Sequence, residues 1–146
     1  MFASILVGTD GSGAAGEAVA HAVRMAATLG ARLQIVAAYE PVPERRLRSA
    51  RVHIPTDVQV NMRDEVLALL DAARRDAEVA GVTQVETFAR VGDAADAILD
   101  VAEEQGSDLI VVGHKGMAGA TRFLLGSVPT KVSHHAPCSV LIVRTG

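Results

Sequence analysis

Short apolar runs alternate along the chain with longer segments in which apolar residues recur every three or four positions. The short runs predict five strands, namely SILVG near the start, Leu33–Tyr39, Val85–Val91, Leu109–Gly113 and Val140–Val143. The longer segments predict four helices, which close at Gly30, at Gly81, at Gly106 and before Pro137. Asp93 is a good N-cap for the third helix, and the fourth is expected from Ser127 to about His135.

Strict alternation of strands and helices predicts a three-layer α/β/α sandwich around a parallel sheet. The first and fourth strands are apolar on consecutive residues, which is typical of central strands buried on both faces. The third alternates apolar and polar residues and is therefore expected at an edge. The last strand, VLIV, is apolar on both faces but is also expected at an edge, so it predicts a homodimer paired through this C-terminal strand.

The composition indicates one compact domain spanning residues 1–146, since 49% of the residues are hydrophobic and 21% are charged. A net charge of −3 gives no overall field that would attract nucleic acid or an anionic membrane. No apolar run has the length of a membrane span. A single cysteine, Cys138, and the lack of a secretion signal favour a cytoplasmic location.

The opening turn contains Gly11, Gly13 and Gly16, the G-x-G-x-x-G spacing that suggests a dinucleotide cofactor. Asp10, however, places a carboxylate where the pyrophosphate would lie, and charge repulsion opposes that arrangement. We therefore interpret the glycine triplet as a coincidental match. A structural alternative for Asp10 is that it caps the first helix.

The loop after the fourth strand, GHKGMAGATRFLLGS, has the features of a phosphate-binding loop. Gly113 and Gly116 let the backbone turn and approach a ligand closely. Gly126 and Ser127 stand at the start of a helix, whose free amides favour an anion, although Ser127 is also a plausible N-cap. Two flanking cations are placed to neutralise phosphate charge, Lys115 and Arg122.

The spacing from Gly113 to Ser127 fits G-x2-G-x9-G-[S/T] and resembles the signature of the universal stress protein family, in its ATP-binding branch. Three further blocks resemble that family in the right order: ILVGTDGS, GDAADAIL and GSVPTKVSHHAPCSVLIV. The resemblance covers nearly the whole chain and is weakest between Pro41 and Val60.

This resemblance implies a Rossmann-like fold with strand order 3-2-1-4-5, a dimer through the fifth strand, and ATP between the ends of strands one and four. It assigns the nucleotide contacts to seven residues: Asp10, Ala38, Gly113, Gly116, Gly126, Ser127 and Val128. The first two would meet the adenosine end, with Ala38 contacting adenine through its backbone. The next two would line the ribose and phosphates, and the last three would supply phosphate-binding amides. Whether Mg²⁺ accompanies the nucleotide stays open.

The sequence has the features of a phosphate-binding loop but no recognisable group of catalytic residues. It contains neither a G-x-x-x-x-G-K-[S/T] loop nor a kinase catalytic loop. The leading interpretation is thus an ATP-binding regulatory module of the stress response, which also leaves room for an unidentified protein partner. The alternatives are a slow ATPase or nucleotidyl transferase of the same architecture, or a nucleotide-free dimeric scaffold.

Four other features have simpler interpretations than a functional one. His114 lies between glycines and is expected to be solvent-exposed rather than an acid or base. The adjacent His134 and His135 cannot both face one metal from a regular helix. Cys138 is expected to be a small buried residue. The arginine-rich segment 43–52 is expected to be a solvated loop, with a flap over the phosphates or a docking surface as the alternatives.

Overall fold

The computed structural model describes residues 1–39, 57–114 and 125–145, with the backbone alone for residues 57–61. In these ranges, five strands and four helices alternate along the chain. They are β1 (Ser4–Gly8), α1 (Gly13–Leu29), β2 (Arg32–Tyr39), α2 (Asp57–Val79), β3 (Val85–Val91), α3 (Ala94–Gln105), β4 (Leu109–Gly113), α4 (Ser127–His135) and β5 (Ser139–Val143). All the predicted elements are present. The arginine-rich segment 43–52 lies outside the described residues.

The strands form one parallel sheet in the order β3-β2-β1-β4-β5. β1 is central, with Ile5 opposite Leu33 of β2 on one side and opposite Leu109 of β4 on the other. β3 and β5 lie at the two edges. The predicted strand order and the predicted positions of the central and edge strands are confirmed.

Helices cover both faces of the sheet because successive strand residues point to opposite sides. Ile5 and Val7 belong to a buried cluster with α1 and α2, whereas Leu6 belongs to a second cluster with α3 and α4. All three side chains are 0% exposed. Burial on both faces explains why the central strands are apolar without alternation, and it confirms the three-layer α/β/α sandwich.

Three helix ends follow the predicted chemistry. Asp93 caps α3, and its carboxylate accepts a hydrogen bond from the Asp96 N–H. α1 and α3 end at Gly30 and Gly106, whose φ angles of 67° and 63° lie in the left-handed region that favours glycine. These caps fix where each helix meets the loop beside the sheet.

Two alternative cap assignments are wrong. α1 is capped by Ser12, whose hydroxyl accepts from the Ala15 N–H at 3.2 Å, and not by Asp10. The Asp10 carboxylate instead accepts from the Ser12 N–H at 2.8 Å and so shapes the turn before the helix. At α4 the N-cap is Gly126, and no side chain caps the helix because Ser127 is already its first helical residue.

The described helices include none with the length and hydropathy that a membrane crossing requires.

Candidate functional site

A cavity of about 420 Å³ opens where the carboxyl ends of β1, β2 and β4 meet the first turn of α4. In parallel sheets ligands bind beyond this edge, where the winding direction of the chain reverses. The described residues that line the cavity are Gly8, Thr9, Asp10, Ser12, Ala15, Val36, Ala38, Ala94, Ile98, Val112, Gly113, Leu125, Gly126, Ser127, Val128 and Pro129.

Six of the seven residues expected at the nucleotide line this one cavity. They come from four separate parts of the chain, and the fold brings them together at one edge of the sheet. The seventh, Gly116, lies outside the described residues, as do the flanking Lys115 and Arg122.

Ala38 lies where β2 extends past the end of β1. Even-numbered residues of β2 direct their backbone groups toward β1, since the Val36 carbonyl accepts from the Thr9 N–H at 2.9 Å. The backbone groups of Ala38, two residues further along β2, point to the same side as those of Val36. The pairing between β1 and β2, however, ends at Gly8 and Val36. The Ala38 N–H and C=O therefore point into the cavity with no partner among the described residues, and they form a donor and acceptor pair suited to the edge of a base.

The walls beside Ala38 are apolar. Val36, Ile98 and Val112 belong to the buried cluster under α3, and they line a slot suited to a flat ring. Gly8 completes the floor, because a Cβ on Gly8 would lie 2.6 Å from Ile98 Cδ1. Neither Gly8 nor Ile98 was predicted as a site residue, although a glycine directly after an apolar strand is a usable signal of close packing.

The opposite end of the cavity is the N-terminus of α4. The Gly126 N–H donates to the His114 carbonyl at 3.1 Å, so the expectation that this amide serves phosphate does not fit the structure. Pro129, in the third helical position, has no N–H. Within the ranges that the structure describes, the N–H groups of Ser127 and Val128 have no acceptor, because first-turn N–H groups have no partner within a helix. These two amides and the exposed Ser127 hydroxyl face the region suited to an anion.

Asp10 is the one ionisable side chain among the described lining residues. Its Oδ1 is held by the Ser12 N–H, and the Gly11 N–H donates to the Thr9 hydroxyl at 3.2 Å. The turn is thus fixed by its own hydrogen bonds, and the carboxylate remains exposed at the cavity mouth. A carboxylate in this position can accept hydrogen bonds from sugar hydroxyls.

The cation on α4 that lies nearest in sequence to the cavity is already paired. Lys131 Nζ lies 2.7 Å from Asp96 and 3.4 Å from Asp93, linking α4 to the start of α3. The hydrogen bond to Asp96 raises the pKa of Lys131, and the pKa of Asp93 is lowered first by the Asp96 N–H and further by Lys131. These two ion pairs connect the helices that contribute Ala94 and Val128 to the cavity lining.

The glycines of the opening turn have different roles from those in a dinucleotide site. Gly11 has a φ of +82° and needs its lack of a side chain to make the turn. A Cβ on Gly13 or Gly16 would meet no described atom within 4 Å. In a dinucleotide fold the third glycine permits close packing of helix on strand, and Gly16 makes no such contact. This geometry supports the interpretation of the triplet as coincidental.

The remaining candidates lie outside the cavity lining. His114 is half-buried rather than exposed, and its backbone N–H donates to the Val143 carbonyl at 2.7 Å. His134 and His135 are exposed with ring centroids 6.4 Å apart, and no group of three metal-ligating side chains occurs among the described residues. Cys138 is half-buried, and burial raises the pKa of its thiol, which disfavours the reactive thiolate.

Comparison with known proteins agrees with this geometry. The sequence pattern of the universal stress protein family matches residues 1–144. The chain belongs to the universal stress protein family. A universal stress protein of Bacillus subtilis, YxiE, is 38% identical to it over 149 residues, covering 99% of this chain and all of YxiE. Rv1636 of Mycobacterium tuberculosis is 37% identical over 144 residues, covering 99% of this chain and 97% of Rv1636.

A solved structure of the family adds a ligand. The crystal structure of a universal stress protein in complex with cAMP matches this fold with a TM-score of 0.76 at 32% identity, and the match covers 99% of each chain. That relative therefore binds an adenine nucleotide on the same fold as this universal stress protein.

Proposed function

We propose that this universal stress protein is a regulatory module that binds ATP or another adenine nucleotide in the cavity at the ends of β1, β2 and β4. The observation that carries the proposal is the arrangement of the cavity's two ends. One end presents the N–H and C=O of Ala38 beside an apolar slot, and the other presents the amides of Ser127 and Val128; none of these groups has a partner in the described part of the chain. The cAMP complex of a relative supports the choice of an adenine nucleotide.

In the proposed complex, adenine lies in the slot between Val36 and Ile98 and pairs with the Ala38 backbone. Asp10 accepts from the ribose hydroxyls, and Gly113 lets the sugar and phosphates pass close to the sheet edge. The phosphates end at α4, on the amides and the hydroxyl of Ser127. Gly116 would contribute from the segment outside the described residues. The described residues contain no group of three metal-ligating side chains, so any Mg²⁺ bound there would be held mainly by phosphate oxygens.

Calorimetric titration with ATP, cAMP, NAD and FAD tests the ligand class. We expect the two mononucleotides to bind and the two dinucleotides to bind much more weakly. A dinucleotide would need an anion site for its pyrophosphate in the turn after β1, where the Asp10 carboxylate opposes one. Ser127→Ala should weaken the mononucleotides several-fold by removing one donor to a charged group. His21→Ala, an exposed change on α1, is the matched control. Tighter binding of NAD than of ATP, or no binding of either mononucleotide, would contradict the proposal.

The proposal includes a homodimer paired through β5, and the edge of that strand supports it. Val143 directs its carbonyl toward β4, where it accepts from His114, so Val140 and Ile142 direct their backbone groups outward. Within the described residues, no strand pairs with this outer edge. The half-buried side chains of Val140, Leu141 and Ile142 would be covered further by a second copy.

Ile142→Pro tests this interface while keeping the backbone hydrogen bonds between β5 and β4. It removes an outward N–H, whereas Leu141→Pro would remove one that faces β4. We expect Ile142→Pro to shift the mass measured by light scattering toward the monomer, while Ile142→Val leaves it unchanged. A wild-type chain that is monomeric at high micromolar concentration would refute the dimer. A cytoplasmic location, which a single free cysteine favours, remains part of the proposal.

A further inference from the structure

We infer that a second cavity, between α1 and α2, binds a small zwitterion with an apolar side chain, of the class of the large apolar amino acids. This interhelical cavity has a volume of about 430 Å³ and lies on the opposite face of the sheet from the walls of the proposed nucleotide site. Of the described lining residues, Thr9 and Ser12 are common to the two cavities. The inference does not depend on the proposed function.

The middle of the interhelical cavity is apolar. Val19 and Val23 line it from α1, and Leu69 and Ala73 line it from α2. Val23 is buried, and Val19 and Ala73 pack against the same core cluster, so the core holds these walls in place. Leu69 closes one end, since a Cβ on Gly11 would lie 3.4 Å from Leu69 Cδ2. Such walls are suited to a hydrocarbon side chain.

Small residues leave the space between the helices open. Gly16 and Ala20 of α1 and Ala72 of α2 line the cavity and are exposed. A longer side chain at any of these positions would fill part of it. The small residues thus explain why there is room, and the charges beside them indicate what the room is suited to.

Two opposite charges line this cavity without being paired. Arg24 and Asp76 are both exposed. Among the residues that the structure describes, neither side chain forms a hydrogen bond or an ion pair, whereas Arg75 on the same helix pairs with Asp71 at 3.0 Å. A ligand with both a carboxylate and an ammonium group can bridge them, because Arg24 donates to a carboxylate and Asp76 accepts from an ammonium.

The two charges lie together at one end of the cavity. Arg24 is one helical turn beyond Ala20 on the same face of α1, and Asp76 is one turn beyond Ala72 on α2. Both helices are crossovers of one parallel sheet and therefore run in the same direction. Leu69 lies two turns before Asp76, about 10 Å along α2. This length accommodates the side chain of an amino acid whose charged groups are at Arg24 and Asp76.

Calorimetric titration of the full chain with L-phenylalanine, glycine, 3-phenylpropionate and phenethylamine tests the ligand class. We expect phenylalanine to bind about tenfold or more tightly than glycine, because glycine has no side chain to bury. The other two probes each lack one of the charged groups and should bind about threefold to tenfold more weakly than phenylalanine. The titrations are repeated with excess ATP, so that binding in the nucleotide cavity is recognised by competition.

Substitutions assign each charged group of the ligand to one side chain. Arg24→Gln should weaken phenylalanine about threefold to tenfold and leave phenethylamine unchanged, since that probe has no carboxylate. Asp76→Asn should weaken phenylalanine similarly and leave 3-phenylpropionate unchanged. Ala20→Leu, at an exposed position, should abolish binding of all four probes by filling the cavity. Glu17→Gln and Glu78→Gln remove exposed charges from the same helices outside the lining and are the matched controls.

Three results would overturn the inference. The first is that no probe binds the full chain, whatever else then occupies the cavity. The second is equal affinity for phenylalanine and glycine. The third is phenylalanine binding that excess ATP abolishes and Ala20→Leu leaves unchanged, which would place the ligand in the nucleotide cavity. If Ala20→Leu does not fold, Ala72→Leu fills the same space from α2. None of these results decides whether ATP binds, which its own titration measures.

Discussion

Gly8→Ala probes the contact that forms the floor of the cavity. A Cβ at Gly8 would lie 2.6 Å from Ile98 Cδ1 and 3.0 Å from Ile98 Cγ1, closer than carbon atoms pack. Ile98 is 4% exposed, so its side chain cannot simply swing into solvent. Gly8 is not among the glycines with positive φ, so the cost comes from overlap and not from backbone strain. Overpacking of this kind destabilises the folded state by about 1–3 kcal/mol.

A double-mutant cycle isolates this overlap. Ile98→Val removes Cδ1, the atom closest to the new methyl group, and on its own should cost about 0.5–1.5 kcal/mol. In the double variant that atom is gone, so the destabilisation should fall short of the sum of the two single changes by about 1 kcal/mol. Urea unfolding gives the free energies, and each kcal/mol corresponds to a melting shift of about 2–4 °C in a domain of this size.

Gly13→Ala is the control, since a Cβ there would meet no described atom within 4 Å. If the costs of Gly8→Ala and Ile98→Val add within about 0.5 kcal/mol, the two positions do not interact and the packing argument is wrong. Nucleotide affinity gives a second measurement. Gly8→Ala should weaken adenosine and ATP equally, because the displaced Ile98 narrows the slot proposed for the base and not the phosphate end.

Three further predictions concern the helices. Gly16→Ala should stabilise the protein by about 0.5–1 kcal/mol in thermal unfolding and leave ATP affinity unchanged, since α1 has space for the methyl group; weakened binding would revive the dinucleotide interpretation. Ser12→Ala should cost about 1 kcal/mol by removing the cap on the Ala15 N–H, and an unchanged melting temperature would contradict that cap. Asp93→Ala should cost about the same, whereas Asp93→Asn keeps a capping oxygen. Folding lowers the pKa of Asp93, so its charge stabilises the folded state above the unfolded pKa, and this stabilisation is lost as pH falls through the folded pKa. The difference in unfolding free energy between wild type and Asp93→Asn should therefore shrink below about pH 4. A constant difference down to about pH 2 would refute this.

The fold could be predicted from the sequence because each element carries two agreeing signals. For α3, the apolar spacing agrees with an N-cap at Asp93 and a left-handed glycine at Gly106. For β3, the alternation of polar and apolar residues agrees with its position at the edge of the sheet. When local propensity and hydrophobic pattern give the same answer, tertiary packing has little to override.

The sequence could not assign hydrogen bonds that depend on the course of the backbone. Thr9, Asp10 and Ser12 are all capable of capping, and only the backbone course of the turn assigns the cap to Ser12. The Gly126 amide donates to the carbonyl of His114, which is not one of its neighbours in the sequence, and no local pattern reports such a bond. The Ala38 backbone was expected at the base from the family resemblance, but its direction follows from the strand register, which sequence alone does not give.

The bond from Gly126 to the His114 carbonyl also bears on how the start of α4 is held. The His114 N–H donates in turn to the Val143 carbonyl of β5, so two backbone hydrogen bonds in series connect the first turn of α4 to the edge strand. Fraying of β5 would therefore release His114 and loosen this end of the cavity as well. Events at the C-terminal edge of the sheet and at the proposed nucleotide site are thus mechanically coupled.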